Sequence, residues 1–153
     1  FALACELGGS LAGANAPETI ALRKYGMSLG TAYQLYDDCL DLFGSEAEAG
    51  KSLGNDIAGG KATLPVILLC EQAGPEMVSQ LGQMIECWDK DQLNILRGWL
   101  SEFNTLEQSQ SRLNANLNDA RNALVVLSES VHRDALLELT RFLAQQSAGL
   151  GVV

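Results

Sequence analysis

The sequence predicts an all-α fold, and three observations carry that expectation. Apolar residues make up 47% of the chain but aromatics only 6%. Leu and Ala dominate and β-branched runs are short, which favours helix over sheet. Apolar positions recur every three to four residues almost throughout, and no useful stretch alternates with the period of two that a strand requires. Helices packed on helices are the expected architecture.

The elements follow in order. "FALACELGGSLAG", residues 1–13, has small and apolar residues at helical spacing and ends in glycine. Asn15-Ala16-Pro17-Glu18 then reads as a cap with proline in the first turn. From 17 to 43 the pattern is one long helix, closed by Gly44. Residues 44–61 are polar and glycine-rich, a loop or a loop with a short turn. "KATLPVILLCEQAG", residues 61–74, restarts a helix, with Thr63 as cap and Pro65 in the first turn. Gly74-Pro75 breaks it. Amphipathic helices are expected over 75–87, 89–101, 104–127 and 131–146, the last with Leu136, Leu139 and Leu143 on one apolar face. Trp88 and Trp99 read as packing residues between helices. The whole, 1–153, is expected to be one all-α unit. Its 17–65 segment carries the candidate chemistry, and 66–153 supplies C-terminal helices.

Charge and cysteine usage bound the function. Ten basic against nineteen acidic side chains leave a net charge of −9, a poor balance for nucleic acid or an anionic membrane surface. Cys5, Cys39, Cys70 and Cys87 form no C-x-x-C and have no His at zinc spacing. They read as reduced core cysteines of a cytoplasmic protein. No apolar run reaches the ~18 residues of a transmembrane helix. Residues 1–16 lack a basic n-region and contain Glu6, unlike a signal peptide. The chain starts without Met, inside a helical apolar pattern, and truncation or processing is the expectation.

The stretch "LYDDCLDLFG", residues 35–44, places three aspartates in the last turns of the long helix, where the macrodipole disfavours negative charge. On a wheel with Gly26 at zero, Gly30 falls at about 40°, Tyr33 at about −20°, Gln34 at about 80°, Asp37 at about 20° and Asp41 at about 60°. Asp38 sits at the edge of that stripe, at about 120°. Mid-helix glycines each cost about 1 kcal/mol relative to Ala. Two of them beside aspartates suggest a face kept open for something bulky. Asp37 and Asp41, one turn apart, can share a hard cation, and Mg²⁺ uses few protein carboxylates and completes its shell with water and phosphate oxygens. Such an ion would cancel the macrodipole penalty. The other reading of D-x-x-x-D alone is a solvated acidic helix end.

Lys51 and Lys61 flank a glycine-rich loop, "GKSLGNDIAGGKATLP", residues 50–65, and in so acidic a chain they look like anion contacts. Glycine-flanked backbone N–H groups can help hold phosphate oxygens. A P-loop is not matched: Ser45 and Asn55 stand where its first glycine is required, and no strand precedes either lysine.

Together, residues 26–69 closely resemble the second half of the trans-prenyltransferase family, the polyprenyl (isoprenyl) diphosphate synthases. The family pattern is G-x-x-x-G-x-A-[FY]-Q-x-x-D-D-x-x-D, then G-K-x-x-G-x-D-[LI]-x-x-G-K-x-T-L-P, and every fixed element is present in order.

The resemblance implies the isoprenoid synthase-type helical bundle, or its C-terminal half. It implies a Mg²⁺-dependent enzyme that condenses an allylic diphosphate with isopentenyl diphosphate to a longer polyprenyl diphosphate. Asp37, Asp38 and Asp41 match the second aspartate-rich, metal-holding motif, with Asp37 the foremost ligand. Lys51 and Lys61 match lysines that contact the allylic diphosphate. Gln34 matches a site-facing position, and Tyr33 stands where Phe is usual. The family's first D-D-x-x-D, its Gly-Gly-Lys and Arg set and an upstream Lys-Thr have no match here. The chain is therefore expected to be inactive alone and to work as a homodimer or with an N-terminal half. The alternatives are a non-catalytic regulatory or partner subunit of such a synthase and a structural helical domain sharing its fold.

Among the remaining residues, His132 reads as a polar residue of a helix start, and Arg23 and Lys24 as solvated or paired. Asp56 is expected either to orient Lys51 or to cap the loop. Cys39 is given no role.

Overall fold

The helix boundaries fall close to those the sequence suggests. The computed structural model describes residues 1–50 and 52–151, except for the side chains of residues 48 and 49. Helix α1 is Ala2–Leu11 and α2 is Ala16–Phe43. At the start of α2, Asn15 Oδ1 accepts the Glu18 N–H at 3.0 Å while Glu18 Oε2 accepts the Asn15 N–H at 2.9 Å. That reciprocal pair satisfies two N–H groups at a helix start. The segment expected as a loop contains two single-turn helices, α3 (Glu46–Ala49) and α4 (Asn55–Ala58). Helices α5 (Leu64–Gln72), α6 (Pro75–Glu86), α7 (Gln92–Glu102) and α8 (Thr105–Ala123) follow. A 3-10 turn over Leu124–Val126 leads to α9 (Val131–Ala148), capped by Ser130, whose side chain accepts the Arg133 N–H. No strand occurs among the described residues.

The chain divides into two units. The first comprises Phe1–Tyr36 and Ser111–Gly149. Tyr25, Leu29, Leu113, Leu117, Leu124 and Leu143 are buried in its core; each such leucine contributes roughly 1.5–3 kcal/mol. The Tyr25 hydroxyl donates to the Leu136 carbonyl at 2.8 Å. Burial, and secondarily the neighbouring Cys5, push that hydroxyl's pKa up to about 12. Arg121 Nε donates to Thr140 Oγ1 at 2.8 Å and ties α8 to α9. Arg23 pairs with Glu6 at 3.2 Å across α1 and α2, and His132 is exposed in the first turn of α9. Leu136 packs on the core and Leu143 is buried, but Leu139 is 50% exposed. It lies roughly 60° around the helix from Leu136, so the apolar face reaches past what the core covers.

The second unit comprises Asp37–Gln110 and the residues from Leu150. Leu42, Ile57, Val66, Leu69, Leu81, Leu96 and Leu100 form its core, and Trp88 and Trp99 pack against it as expected. Arg97 donates from Nη2 to the Gly44 carbonyl at 2.8 Å and from Nε to the Leu42 carbonyl. These carbonyls end α2, where helices leave acceptors unpaired and favour positive charge.

Thr63 and the exposed cysteines depart from the sequence expectation. Thr63 precedes α5, yet its hydroxyl makes no cap bond and is buried without a partner. Pro65, at the second helical position, lacks one of the N–H groups such a cap would use. The four cysteines are free, but Cys70 and Cys87 are exposed rather than core residues. Cys70 lies on the outer face of α5, and Cys87 ends α6.

Candidate active site

In the second unit the 52–65 segment folds back on the end of α2 and gathers Asp38, Asp41, Asp56 and Lys61. Asp41 makes the turn. Its main-chain oxygen accepts the Gly54 N–H at 2.9 Å, its Oδ1 the Asn55 N–H at 3.3 Å and its Oδ2 the Asp56 N–H at 3.0 Å. Gly54 has φ +74° and is buried. A Cβ there would stand 2.9 Å from the Trp88 ring, so glycine is required on both counts.

Lys61 closes the arrangement. Its N–H donates to the Asp56 carbonyl at 2.8 Å. Its Nζ lies 3.3 Å from Asp56 Oδ1 and 3.3 Å from Asp38 Oδ1. Partial desolvation works against the ammonium, but hydrogen bonds and charge from Asp56 and Asp38 outweigh it and raise the lysine pKa. The side chain is still 51% exposed, while Asp38 is buried. Asp56 thus orients a lysine, but the lysine seen is Lys61; Lys51 lies outside the described residues.

The carboxylates differ in what they offer a cation. Asp37 is half-buried, and Asp41 is fully buried with both oxygens on backbone N–H groups. Asp38, at the edge of the helical stripe, is the one that meets Lys61. Among the described residues no three His, Cys, Asp or Glu side chains converge as metal ligands. Asp37 and Asp38, neither of them without a partner, also carry hard oxygen donors. That fits Mg²⁺, which commonly takes one or two carboxylates and completes its shell with substrate phosphates.

Cys39, between them in sequence, is buried. Its thiol is pushed up to about 12 by burial, against a bond with Ser109 and with help from the Asp38 charge. It is therefore not a nucleophile near neutral pH.

In the first unit Tyr33 and Gln34 line an open groove of about 630 Å³ with Phe1, Gly26, Met27 and Gly30. The glycines admit the start of α1: Cβ atoms at 26 and 30 would meet the Phe1 carbonyl at 2.7 Å and the Phe1 side chain at 2.9 Å. The bulky group that the two glycines accommodate is thus the chain's own Phe1, whose ring lies 5.6 Å from that of Tyr33. A separate cleft of about 340 Å³ in the second unit, beside Arg97 and Glu107, contains none of the predicted site residues.

Comparison with known proteins identifies the family of the chain. Residues 1–99 match the family profile described as Polyprenyl synthetase. The chain is 33% identical over 149 residues to the octaprenyl diphosphate synthase of Escherichia coli strain K12, covering 95% of this chain and 46% of that protein. It superposes on a polyprenyl synthase from Caulobacter crescentus CB15, solved with calcium and isoprenyl diphosphate. The TM-score is 0.87 at 32% identity, over 94% of this chain and 44% of that one. A geranylgeranyl pyrophosphate synthase from Corynebacterium glutamicum, solved with isoprenyl diphosphate and magnesium, matches at TM-score 0.80 and 26% identity, over 92% and 41% of the two chains. The chain spans about half the length of the relatives it matches.

Proposed function

The chain belongs to the polyprenyl synthetase family, and we propose that it carries the allylic-diphosphate side of a Mg²⁺-dependent prenyl transfer that lengthens a polyprenyl diphosphate. The observation that carries this reading is Lys61, a half-exposed ammonium held between Asp38 and Asp56 in an otherwise acidic chain.

In the proposed reaction the allylic C–O bond breaks, and its electron pair leaves with the diphosphate. The double bond of isopentenyl diphosphate attacks the resulting cation, a C–C bond forms and a proton is lost. Asp37 and Asp38 would hold Mg²⁺, which supplies charge neutralisation to the leaving diphosphate. Lys61 donates hydrogen bonds to the same oxygens, where negative charge grows as the bond breaks. Lys51 is proposed as a second diphosphate contact. Tyr33 and Gln34 are proposed to contact the allylic substrate from their groove.

The remaining substrate contacts are proposed to come from a further polypeptide segment or a second subunit, since the matched relatives are about twice as long. In the assembled enzyme, Asp37→Ala is expected to abolish condensation of an allylic diphosphate with isopentenyl diphosphate while circular dichroism keeps the helix content. Full activity in that variant overturns the site assignment.

A further inference from the structure

Asp41 stands apart from the two aspartates before it. Three consecutive amides, Gly54, Asn55 and Asp56, end on this single residue, at 2.9, 3.3 and 3.0 Å. The residue is wholly buried. A buried carboxylate is costly unless hydrogen-bonded, and bonds to an ionised acceptor are about twice as strong as neutral ones. Asp41 therefore spends its charge on the turn at 54–56.

The turn passes that constraint on. Asp56, held by its own N–H, fixes Lys61 twice, by main chain at 2.8 Å and by carboxylate at 3.3 Å. Lys61 in turn reaches Asp38 at 3.3 Å, three residues before Asp41 on the same helix. The path leaves α2 at Asp41 and returns to it at Asp38.

We propose that Asp41 is a positioning residue and not a cation ligand: it fixes the 54–56 turn and, through Asp56, sets where the Lys61 ammonium stands beside Asp38. The role in diphosphate binding rests on the function proposed above, whereas the anchoring does not. A ligand would need an oxygen that an ion and its water or phosphate partners can reach, whereas Asp41 is wholly buried with each oxygen already accepting a backbone N–H. Asn in its place could still accept one of the two amides, whereas Ala could accept neither.

The test measures two quantities on the same chain: amide hydrogen exchange at Asn55 and Asp56 without metal, and calorimetric binding of inorganic pyrophosphate over a range of Mg²⁺ concentrations. In Asp41→Ala, exchange at both amides is expected to rise about ten-fold, the scale of losing a helix-capping acceptor. Pyrophosphate affinity falls, while the Mg²⁺ concentration at half-effect stays unchanged. Asp41→Asn is expected to show a smaller rise in exchange and to recover part of the affinity. Asp37→Ala is expected to do the reverse, raising the Mg²⁺ requirement and leaving both amides protected.

Unchanged exchange in Asp41→Ala overturns the proposal. So does a raised Mg²⁺ requirement in Asp41→Asn with exchange unchanged, which is the signature of a ligand. If Asp41→Ala does not fold, the Asn variant decides by the same two readings. If the unaltered chain binds no pyrophosphate, the functional reading fails, and exchange alone decides the anchoring.

Discussion

Lys61 Nζ stands 3.3 Å from Asp38 Oδ1, across twenty-three residues of sequence, and the ammonium remains half in solvent. A pair this exposed contributes little to stability, about 0–1 kcal/mol. Its position suits a ligand contact better than a structural one. Lys61→Ala is therefore expected to shift the urea midpoint barely while weakening Mg²⁺-dependent pyrophosphate binding about ten-fold, the scale of a charged hydrogen bond. Equal losses of stability and binding would contradict this.

The same pair sets a pH dependence. The folded Lys61 pKa is raised, so its contribution is fully present below the ordinary lysine value of about 10.4. It is lost as pH climbs through the higher folded value. Urea midpoints of the unaltered chain minus those of Lys61→Met are expected to give a small positive difference at pH 8 that shrinks as the pH is raised above the ordinary lysine value. A difference that grows with alkalinity would contradict the pairing.

Gly54 lies under a separate constraint. With φ +74° and a Cβ position 2.9 Å from Trp88, Gly54→Ala combines left-handed strain with a clash. A loss of about 1–3 kcal/mol in urea unfolding is expected. Gly60→Ala also has positive φ but meets nothing within 4 Å, so it is expected to cost less, about 1 kcal/mol.

Arg97 answers why three aspartates can end a helix. Its guanidinium bonds to the carbonyls of Leu42 and Gly44 place a positive charge at the C-terminus of α2. Arg97→Ala is expected to cost about 1–3 kcal/mol by leaving those carbonyls unpaired. Arg97→Lys is expected to recover only part, because an ammonium lacks the guanidinium's fixed fork. Full recovery by lysine would show that charge alone suffices.

The cysteines offer a check on burial. Cys70 and Cys87 are exposed, and Cys39 is buried with its thiol pushed up to about 12. Iodoacetamide on the native chain at pH 8 is expected to modify Cys70 and Cys87 first, and Cys39 only after unfolding. Early modification of Cys39 would contradict the packing of the motif helix.

Helix order was legible because its signals are local. The Asn15–Glu18 capping box, Pro75 at the start of α6 and Gly44 past the end of α2 act through neighbours in sequence. The resemblance at residues 26–69 rested on spaced residue types and needed no packing. What the sequence could not display was which oxygen meets which nitrogen after the loop folds back. The helical wheel grouped Asp41 with Asp37, yet a wheel carries no record of the 54–56 amides that claim Asp41. It set Asp38 at the stripe's edge, where Lys61 arrives. Arg97 drew no attention because its carbonyl partners lie 53 and 55 residues away. The Gly26/Gly30 stripe did signal a close approach, but not that Phe1 makes it.

The most direct measurement is calorimetric titration of the chain with inorganic pyrophosphate, with and without Mg²⁺, repeated on Asp37→Ala and Lys61→Ala. Binding is expected to require Mg²⁺, to need a higher Mg²⁺ concentration in Asp37→Ala and to be weakened in Lys61→Ala. Equal binding without the metal, or binding indifferent to both substitutions, would contradict this.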